Sequence, residues 1–243
     1  MPRSRPRRLA LWLAGAAVAV IVLAVGGAFI YIHFISGPAP APLSLNTGSP
    51  SASSPAPVTG TQPAGGGAGQ LAGSWRVTSG SIVGYRVNEV LAGQNNVAAG
   101  RTGSIAGSML ISGTTVKSAQ FTVQMATFHS DESQRDAQFN GRIMDTSTFP
   151  TGTLALTAPI HLSPVPDRGV VKTYRAAGNL TLHGRTRPVT FAVQAERTSS
   201  GLEVSGSIPI VFADWGIANP SFPPFVTTQN HGELEFLVKF RAG

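Results

Sequence analysis

Apolar and polar residues alternate along eight short stretches in the second part of the chain. In residues 118–125, apolar side chains at every second position would share one face of a strand, while serine, threonine and glutamine share the other. The other seven stretches repeat this period around Val83, Ile105, Leu154, Leu180, Val189, Leu202 and Leu234. Closure of such strands removes exposed edges, so the pattern predicts an all-β fold, an eight-stranded antiparallel barrel. A barrel of this size is either filled by its own side chains or holds one small ligand.

Two segments interrupt the alternation. Residues 130–145 carry acidic residues at their start and place Phe139 and Ile143 four positions apart, which predicts one short helix that packs as a lid or plug across a barrel end. Phe149 precedes a proline and would end this segment. Residues 212–226 combine aromatic residues with three prolines and predict a stiff loop that lines an opening.

The N-terminal part of the chain has a different pattern. Residues 1–8 contain four arginines, and residues 9–35 contain no charge over 27 positions. As a helix these 27 residues would be about 40 Å long, enough to cross a hydrocarbon core of about 30 Å. We predict a single-pass signal anchor with a basic cytoplasmic N-terminus and the remaining chain outside the cytoplasmic membrane. A cleaved signal peptide is the alternative, although its apolar region is usually shorter.

Residues 36–73 consist almost wholly of small residues and proline and carry no charge. Such a segment buries too little apolar surface to offset its ordering entropy, so it predicts a disordered linker with a mean reach of about 35 Å. Residues 74–243 then form the barrel domain.

Composition excludes several kinds of function. The net charge of +7 falls to +3 from Trp75 onward, and no basic run follows, so we expect no nucleic-acid partner. The absence of cysteine excludes thiolate chemistry and disulfides. The histidines are scattered without metal-ligand spacing, so no metal site is predicted, and the charges of residues 131–145 are typical of a solvated, mutually paired face. No catalytic motif is present, so we expect no enzyme, with a hydrolase assembled from distant residues as the alternative.

The hairpin sequence of residues 178–191, GNLTLHGRTRPVTF, resembles the most recognisable stretch of the YceI family. Trp75 before the first strands, the run from Ser130 to the Phe149-Pro150 pair, and the late aromatic-glycine stretch of residues 212–217 are similar to that family too. The resemblance implies an exported, lipocalin-like barrel that binds polyisoprenoid lipids. The anchor and the composition resemble an actinobacterial, membrane-tethered version.

From the resemblance and the apolar inner face of each strand, we expect a binding or carrier protein for a polyisoprenoid or an isoprenoid quinone, with no other cofactor. Its partners would be this lipid and, through the N-terminal helix, the cytoplasmic membrane. The residues expected to contact the lipid are Tyr85, Phe121, Val123, Phe149, Phe191, Trp215, Phe225 and Phe236. The alternative is a solid barrel that acts as an envelope interaction module through residues 212–226.

Overall fold

The computed structural model describes residues 39–45, 71–91 and 93–243. The strands in this part of the chain are β1 (Gly73–Val77), β2 (Ile82–Leu91), β3 (Gln94–Thr102), β4 (Ile105–Ser112), β5 (Thr115–Gln124), β6 (His129–Ser130), β7 (Thr151–Leu156), β8 (Ile160–His161), β9 (Lys172–Leu182), β10 (Arg185–Arg197), β11 (Leu202–Val211), β12 (Val226–Thr228) and β13 (His231–Ala242). The helical segments are α1 (Ser133–Gln138), a π-helix (Phe139–Ile143) and two 3₁₀ helices (Met125–Thr127 and Phe212–Trp215).

These strands occupy eight positions around a closed antiparallel barrel. Four positions are each shared by two successive strands: β1 with β2, β3 with β4, β5 with β6, and β7 with β8. The other four positions are β9, β10, β11 and β13. Pairing of Trp75 with Ala242 closes the ring between the first and last strands. The predicted eight-stranded antiparallel barrel is therefore confirmed.

The hairpin predicted at residues 178–193 is formed by β9 and β10. Its turn has two residues, His183 and Gly184, and both have a positive φ (46° and 71°). This backbone twist matches that of the flanking strands, and a glycine at the second turn position favours it. Leu182 and Arg185 are the first of eleven paired positions, so the turn sets the register of the two longest neighbouring strands.

One end of the barrel, which we call the mouth, is where β2, β9 and β11 end and where β10 and β13 begin. The helix predicted at residues 130–145 is confirmed there as α1 and the π-helix. A π-helix has a wider turn than an α-helix, because its hydrogen bonds join residues five positions apart. Here the Met144 N–H donates to the Phe139 carbonyl at 2.9 Å. Residues 212–226 form the loop on the facing side of the mouth, and β12 pairs with the end of β2.

The predicted N-terminal segments, 1–8 and 9–35, lie outside the described residues, as do residues 36–38 and 46–70 of the predicted linker. Among the described residues, no helix has the length and apolarity needed to cross a membrane. Residues 39–45, which we call the strap, lie against the outer wall of the barrel, where Leu45 is buried. The backbone of these seven residues makes hydrogen bonds to barrel side chains, and the disordered linker of residues 36–73 stays a prediction.

Candidate functional site

Alternating side chains of the strands enclose a cavity of about 160 Å³ inside the barrel, which we call the inner cavity. Its wall is almost wholly apolar because each strand turns its apolar face inward. Contributions come from all sides of the barrel, among them Met109, Ala119, Phe121, Leu156, Phe191 and Phe236. An apolar cavity of about this size holds a benzene-sized molecule. It is large enough for one branched hydrocarbon unit and too small for a long chain.

Three inward-facing aromatic rings lie over a glycine on the neighbouring strand. The directly paired positions are Tyr85 with Gly100, Phe121 with Gly107, and Phe236 with Gly206. A Cβ atom added to any of these glycines would come within 2.7 Å of the ring. The glycines therefore let the rings lie close to the barrel wall, and this arrangement preserves open space along the axis.

A second cavity, of about 1080 Å³, lies at the mouth, and we call it the mouth cavity. Its walls come from the end of β2, from α1 and the π-helix, and from the loop of residues 212–226. The apolar residues facing it include Val87, Leu91, Phe139, Ile143, Ile210, Phe212, Ile217 and Phe222. This volume is slightly above the usual range for small-molecule sites, about 300 to 1,000 Å³.

Four residues face both cavities: Met125, Phe128, Leu182 and Leu234. We call them the dividing layer. Phe128 packs against Phe139 at a ring distance of 5.2 Å and against Tyr85 at 5.9 Å. Because leucine and methionine side chains change rotamer readily, a ligand could join the two cavities without moving a strand.

Tyr85 stands between the dividing layer and the rim of the mouth. Its ring stacks on Phe139 at 5.0 Å with an interplanar angle of 8°. Burial raises the pKa of the Tyr85 hydroxyl well above its ordinary value, and the nearby charge of Arg135 opposes this shift. The hydroxyl is therefore neutral at physiological pH.

The rim of the mouth carries a paired set of charges. Arg135 lies 3.7 Å from Glu89 and also contacts Asp131, and Asp136 accepts hydrogen bonds from the Ser130 N–H and hydroxyl at 2.8 and 2.7 Å. The mutual pairing predicted for residues 131–145 is found here. The residues that line the mouth cavity include three glutamates, Glu89, Glu132 and Glu233, and two arginines, Arg135 and Arg142. The charged residues of this lining are therefore not predominantly basic.

The structure brings five of the eight predicted lipid-contacting residues to a cavity. Phe121, Val123, Phe191 and Phe236 line the inner cavity, and Tyr85 lines the mouth cavity. Their role in lipid contact stays a prediction.

The other three, Phe149, Trp215 and Phe225, line neither cavity. Trp215 is buried in the core, where its indole N–H donates to the Leu180 carbonyl at 3.3 Å. Phe149 packs edge-on against His183 at 4.6 Å beside the hairpin turn. Phe225 is 57% exposed on the mouth loop.

Sequence reasoning missed much of the mouth cavity. Phe128 follows a 3₁₀ helix and Phe139 lies in the π-helix, so neither has the period of two that identified the barrel wall. The four-residue spacing of Phe139 and Ile143 was the available signal, and both residues do line the mouth cavity. Among the described residues there is no cluster of three or more groups suited to a metal ion.

Comparison with known proteins agrees with this geometry. A YceI-like domain matches residues 75–240. A solved polyisoprenoid binding domain from Saccharophagus degradans, implicated in plant cell wall breakdown, is 14% identical, with a TM-score of 0.58 over 71% of this chain and 99% of its own. BcnA from Burkholderia cenocepacia is 20% identical, with a TM-score of 0.53 over 67% of this chain and 98% of its own. No curated protein sequence matches the chain. The barrel, its closing strands and the domain match together establish that this chain belongs to the YceI-like domain family.

Proposed function

We propose that the protein binds a long, uncharged isoprenoid lipid, such as a polyprenol or an isoprenoid quinone, and carries or holds it outside the cytoplasmic membrane. The observation behind this proposal is the pair of adjoining apolar cavities, separated only by side chains of the dividing layer. The polyisoprenoid binding domain of similar fold gives the lipid class. Residues 9–35, uncharged and preceded by four arginines, support a membrane anchor.

The volumes suggest how the lipid would lie. The inner cavity, about 160 Å³, accommodates the terminal prenyl unit, and the mouth cavity, about 1080 Å³, accommodates several further units. Each buried methylene contributes about 0.8 kcal/mol, so a few units offset the cost of immobilising the chain. Few polar contacts are then needed.

The charges at the mouth favour a neutral head group. Three glutamates and two arginines are among the residues that line the mouth cavity, and Arg135 is already paired with Glu89 and Asp131. A phosphate would meet carboxylates there without a cluster of free arginines, which is the usual basis of phosphate recognition. Quinones and polyprenols carry no phosphate, so they need no cluster of free arginines.

Quantitative lipid extraction tests this proposal. The full chain is purified from the host's own membranes, extracted with organic solvent, and analysed by mass spectrometry for isoprenoids per protein chain. We expect about one isoprenoid per chain. The variant Ala119→Leu fills the inner cavity and should lose most of the bound lipid, whereas Ala192→Leu, the same change on the outer wall, should keep it.

Wild-type protein that carries no isoprenoid, and whose melting temperature is unchanged by added polyprenol or menaquinone, would contradict the lipid proposal. An envelope interaction module would then be the better account, because Phe222 and Phe225 form an exposed stacked pair with ring centroids 6.1 Å apart.

A further inference from the structure

The strap is fixed to the outer barrel wall by its backbone. The Leu43 N–H donates to Oε2 of Glu235 at 3.0 Å. The guanidinium groups of Arg101 and Arg86 donate to the carbonyl oxygens of Ala41 and Pro40. Three consecutive strands of the wall, β13, β2 and β3, therefore each supply one side chain to the strap.

The wall beneath the strap is built around a buried carboxylate. Glu235 is only 2% exposed although it points outward from β13. Its Oε1 accepts from Arg101 Nη2 at 2.9 Å and Nε at 3.1 Å, across the intervening Gly84 of β2. A Cβ atom at Gly84 would lie 2.9 Å from that oxygen, so glycine at this position lets the ion pair lie close to the wall.

Among the described residues, the donor to Oε2 of Glu235 is the Leu43 N–H. Without the strap, this oxygen of the carboxylate would lose the backbone N–H that binds it in the structure. The Glu235 site is therefore matched to an extended backbone segment, and the strap is the segment that occupies it.

The position of the strap in the sequence limits where the barrel can be. Pro40 follows Ile35, the end of the uncharged stretch, by five residues. Five residues span at most about 17 Å. A free linker running to residue 73 would instead have a mean reach of about 35 Å and a much longer maximum. Docking of the strap thus shortens the distance between an anchor and the barrel wall.

The level of the strap on the wall limits which end of the barrel can face the anchor. Leu43 and Ala41 are held by Glu235 and Arg101, which both pair with Gly84. Pro40 is held by Arg86, two residues closer to the mouth, so the strap crosses the three strands at this level. From Arg86 to Leu91 at the rim are five strand residues, or about 17 Å. This length equals the reach available between Ile35 and Pro40, so the rim can lie at the membrane surface.

The rim itself is suited to that position. Phe222 and Phe225 are 66% and 57% exposed and stand on the mouth loop, and Phe222 also faces the mouth cavity. Arg142 supports this loop through a hydrogen bond to the Pro220 carbonyl at 3.0 Å. Exposed phenylalanines next to a basic side chain are typical of surfaces that enter the interfacial layer of a bilayer.

We infer that the strap holds the barrel with its mouth against the membrane in which the chain is anchored, and that Phe222 and Phe225 enter the interfacial layer of that membrane. An isoprenoid then passes between the bilayer and the mouth cavity without crossing water. This inference rests on the anchor and the lipid of the proposed function, and it adds the orientation and the segment that sets it.

Spin labelling of the full chain in vesicles tests the orientation. The chain has no cysteine, so single cysteines label cleanly. A nitroxide is placed at Phe222→Cys at the mouth and, as a control, at Ser199→Cys in the exposed turn at the opposite end. In vesicles of phosphatidylcholine and phosphatidylglycerol, the label at position 222 should be relaxed by oxygen and protected from an aqueous nickel complex. The label at 199 should show the reverse. Equal exposure of both labels to water would overturn the inference.

A pair of strap variants tests whether the strap sets the orientation of the barrel. Leu43→Pro removes the N–H that binds Glu235, and Leu43→Ala removes the same side chain but keeps the N–H. We expect Leu43→Pro to expose the label at 222 to the nickel complex and Leu43→Ala to leave it protected. A protected label in Leu43→Pro would show that the strap does not set the orientation.

Lipid content measured on the same samples separates the two proposals. A chain that carries isoprenoid but exposes the label at 222 contradicts the orientation alone. A chain that protects this label but carries no isoprenoid contradicts the lipid proposal alone. A chain that does not float with the vesicles contradicts the anchor, and the inference fails with it.

Discussion

At the scale of single residues, the interior of this barrel depends on where glycine stands opposite an aromatic ring. The rings of Phe121 and Phe236 would occupy the axis if a side chain lay beneath them. Their glycine partners, Gly107 and Gly206, allow each ring to approach the backbone of the next strand. The inner wall therefore carries several aromatic rings and still encloses an open cavity.

Gly206→Ala should therefore destabilise the barrel and reduce the inner cavity. The added Cβ would lie 2.7 Å from both the Ala192 carbonyl oxygen and the Phe236 ring, so the backbone or the ring must move. We expect a loss of about 2 kcal/mol in the free energy of unfolding, measured by urea denaturation. The control is Gly113→Ala, in a turn with no atom within 4 Å of the new Cβ, where only the positive φ opposes the change. An unchanged Gly206→Ala protein would contradict this account of the wall.

The raised pKa of the Tyr85 hydroxyl predicts that the folded protein loses stability in alkaline solution. Burial raises the pKa of its hydroxyl in the folded protein, so above about pH 10 the unfolded chain loses this proton while the folded chain keeps it. The folded state then binds more protons than the unfolded state, and the free energy of unfolding falls as the pH rises.

Tyr85→Phe removes this titration and keeps the ring. The wild type should lose about 1 kcal/mol more than the variant between pH 9 and pH 11, measured by urea denaturation at each pH. Tyr174, whose pKa is also raised by burial, is present in both proteins and cancels in the difference. Parallel pH profiles would show that the Tyr85 hydroxyl is accessible to water.

At the scale of elements, the α1 and π-helix segment makes the mouth a cavity rather than an open end. Phe139, at the start of the π-helix, stacks on Tyr85 and contacts Phe128 of the dividing layer. The segment therefore packs on the barrel through aromatic rings, and its charged residues remain at the rim.

Phe128→Ala should join the two cavities. Removing a buried aromatic ring costs about 3 kcal/mol, because the neighbouring side chains fill the space only in part. We also expect faster exchange of bound isoprenoid, measured by transfer of a labelled lipid to acceptor vesicles. Phe222→Ala, on the exposed part of the loop, should leave the unfolding free energy almost unchanged. Slower exchange in Phe128→Ala would contradict a separating role for this ring.

The barrel wall can be predicted well from the sequence, because side chains along each strand face inward and outward with a period of two residues. Phe121, Val123, Phe191 and Phe236 were all placed by this alternation, and all four face the inner cavity. Trp215 was placed by its aromatic character alone, and its indole N–H instead finds a buried carbonyl. The strap could not be predicted, because its contacts go to the backbone N–H and C=O groups that every sequence shares.

At the scale of the whole molecule, the barrel is closed by the pairing of β1 with β13. Phe240 lies at this seam, opposite Val77 on one side and Leu202 on the other, and its ring packs edge-on against Phe121 at 5.9 Å. The seam is therefore held by core packing as well as by the hydrogen bonds of the strands.

Neighbouring residues of β13 allow a matched test of the seam. Phe240→Ala should lower the free energy of unfolding by about 4 kcal/mol, since the ring is 3% exposed and its removal leaves a cavity. Lys239→Ala removes an outward side chain paired with Glu203 at 3.1 Å and should cost less than about 1 kcal/mol. Urea denaturation of the two variants measures both values. Similar losses in both would mean that hydrogen bonding alone holds the seam.

The same seam determines the order in which the chain can fold. Trp75 in β1 pairs with Ala242 in β13. Because the chain is synthesised from its N-terminus, β1 is made long before β13, the strand that closes the barrel. Hairpins such as β9 and β10 can form at once, whereas β1 waits for nearly the whole domain. Until then two strand edges and the apolar interior are open to other chains. The interval between the synthesis of β1 and its pairing with β13 is therefore the period of greatest risk of aggregation.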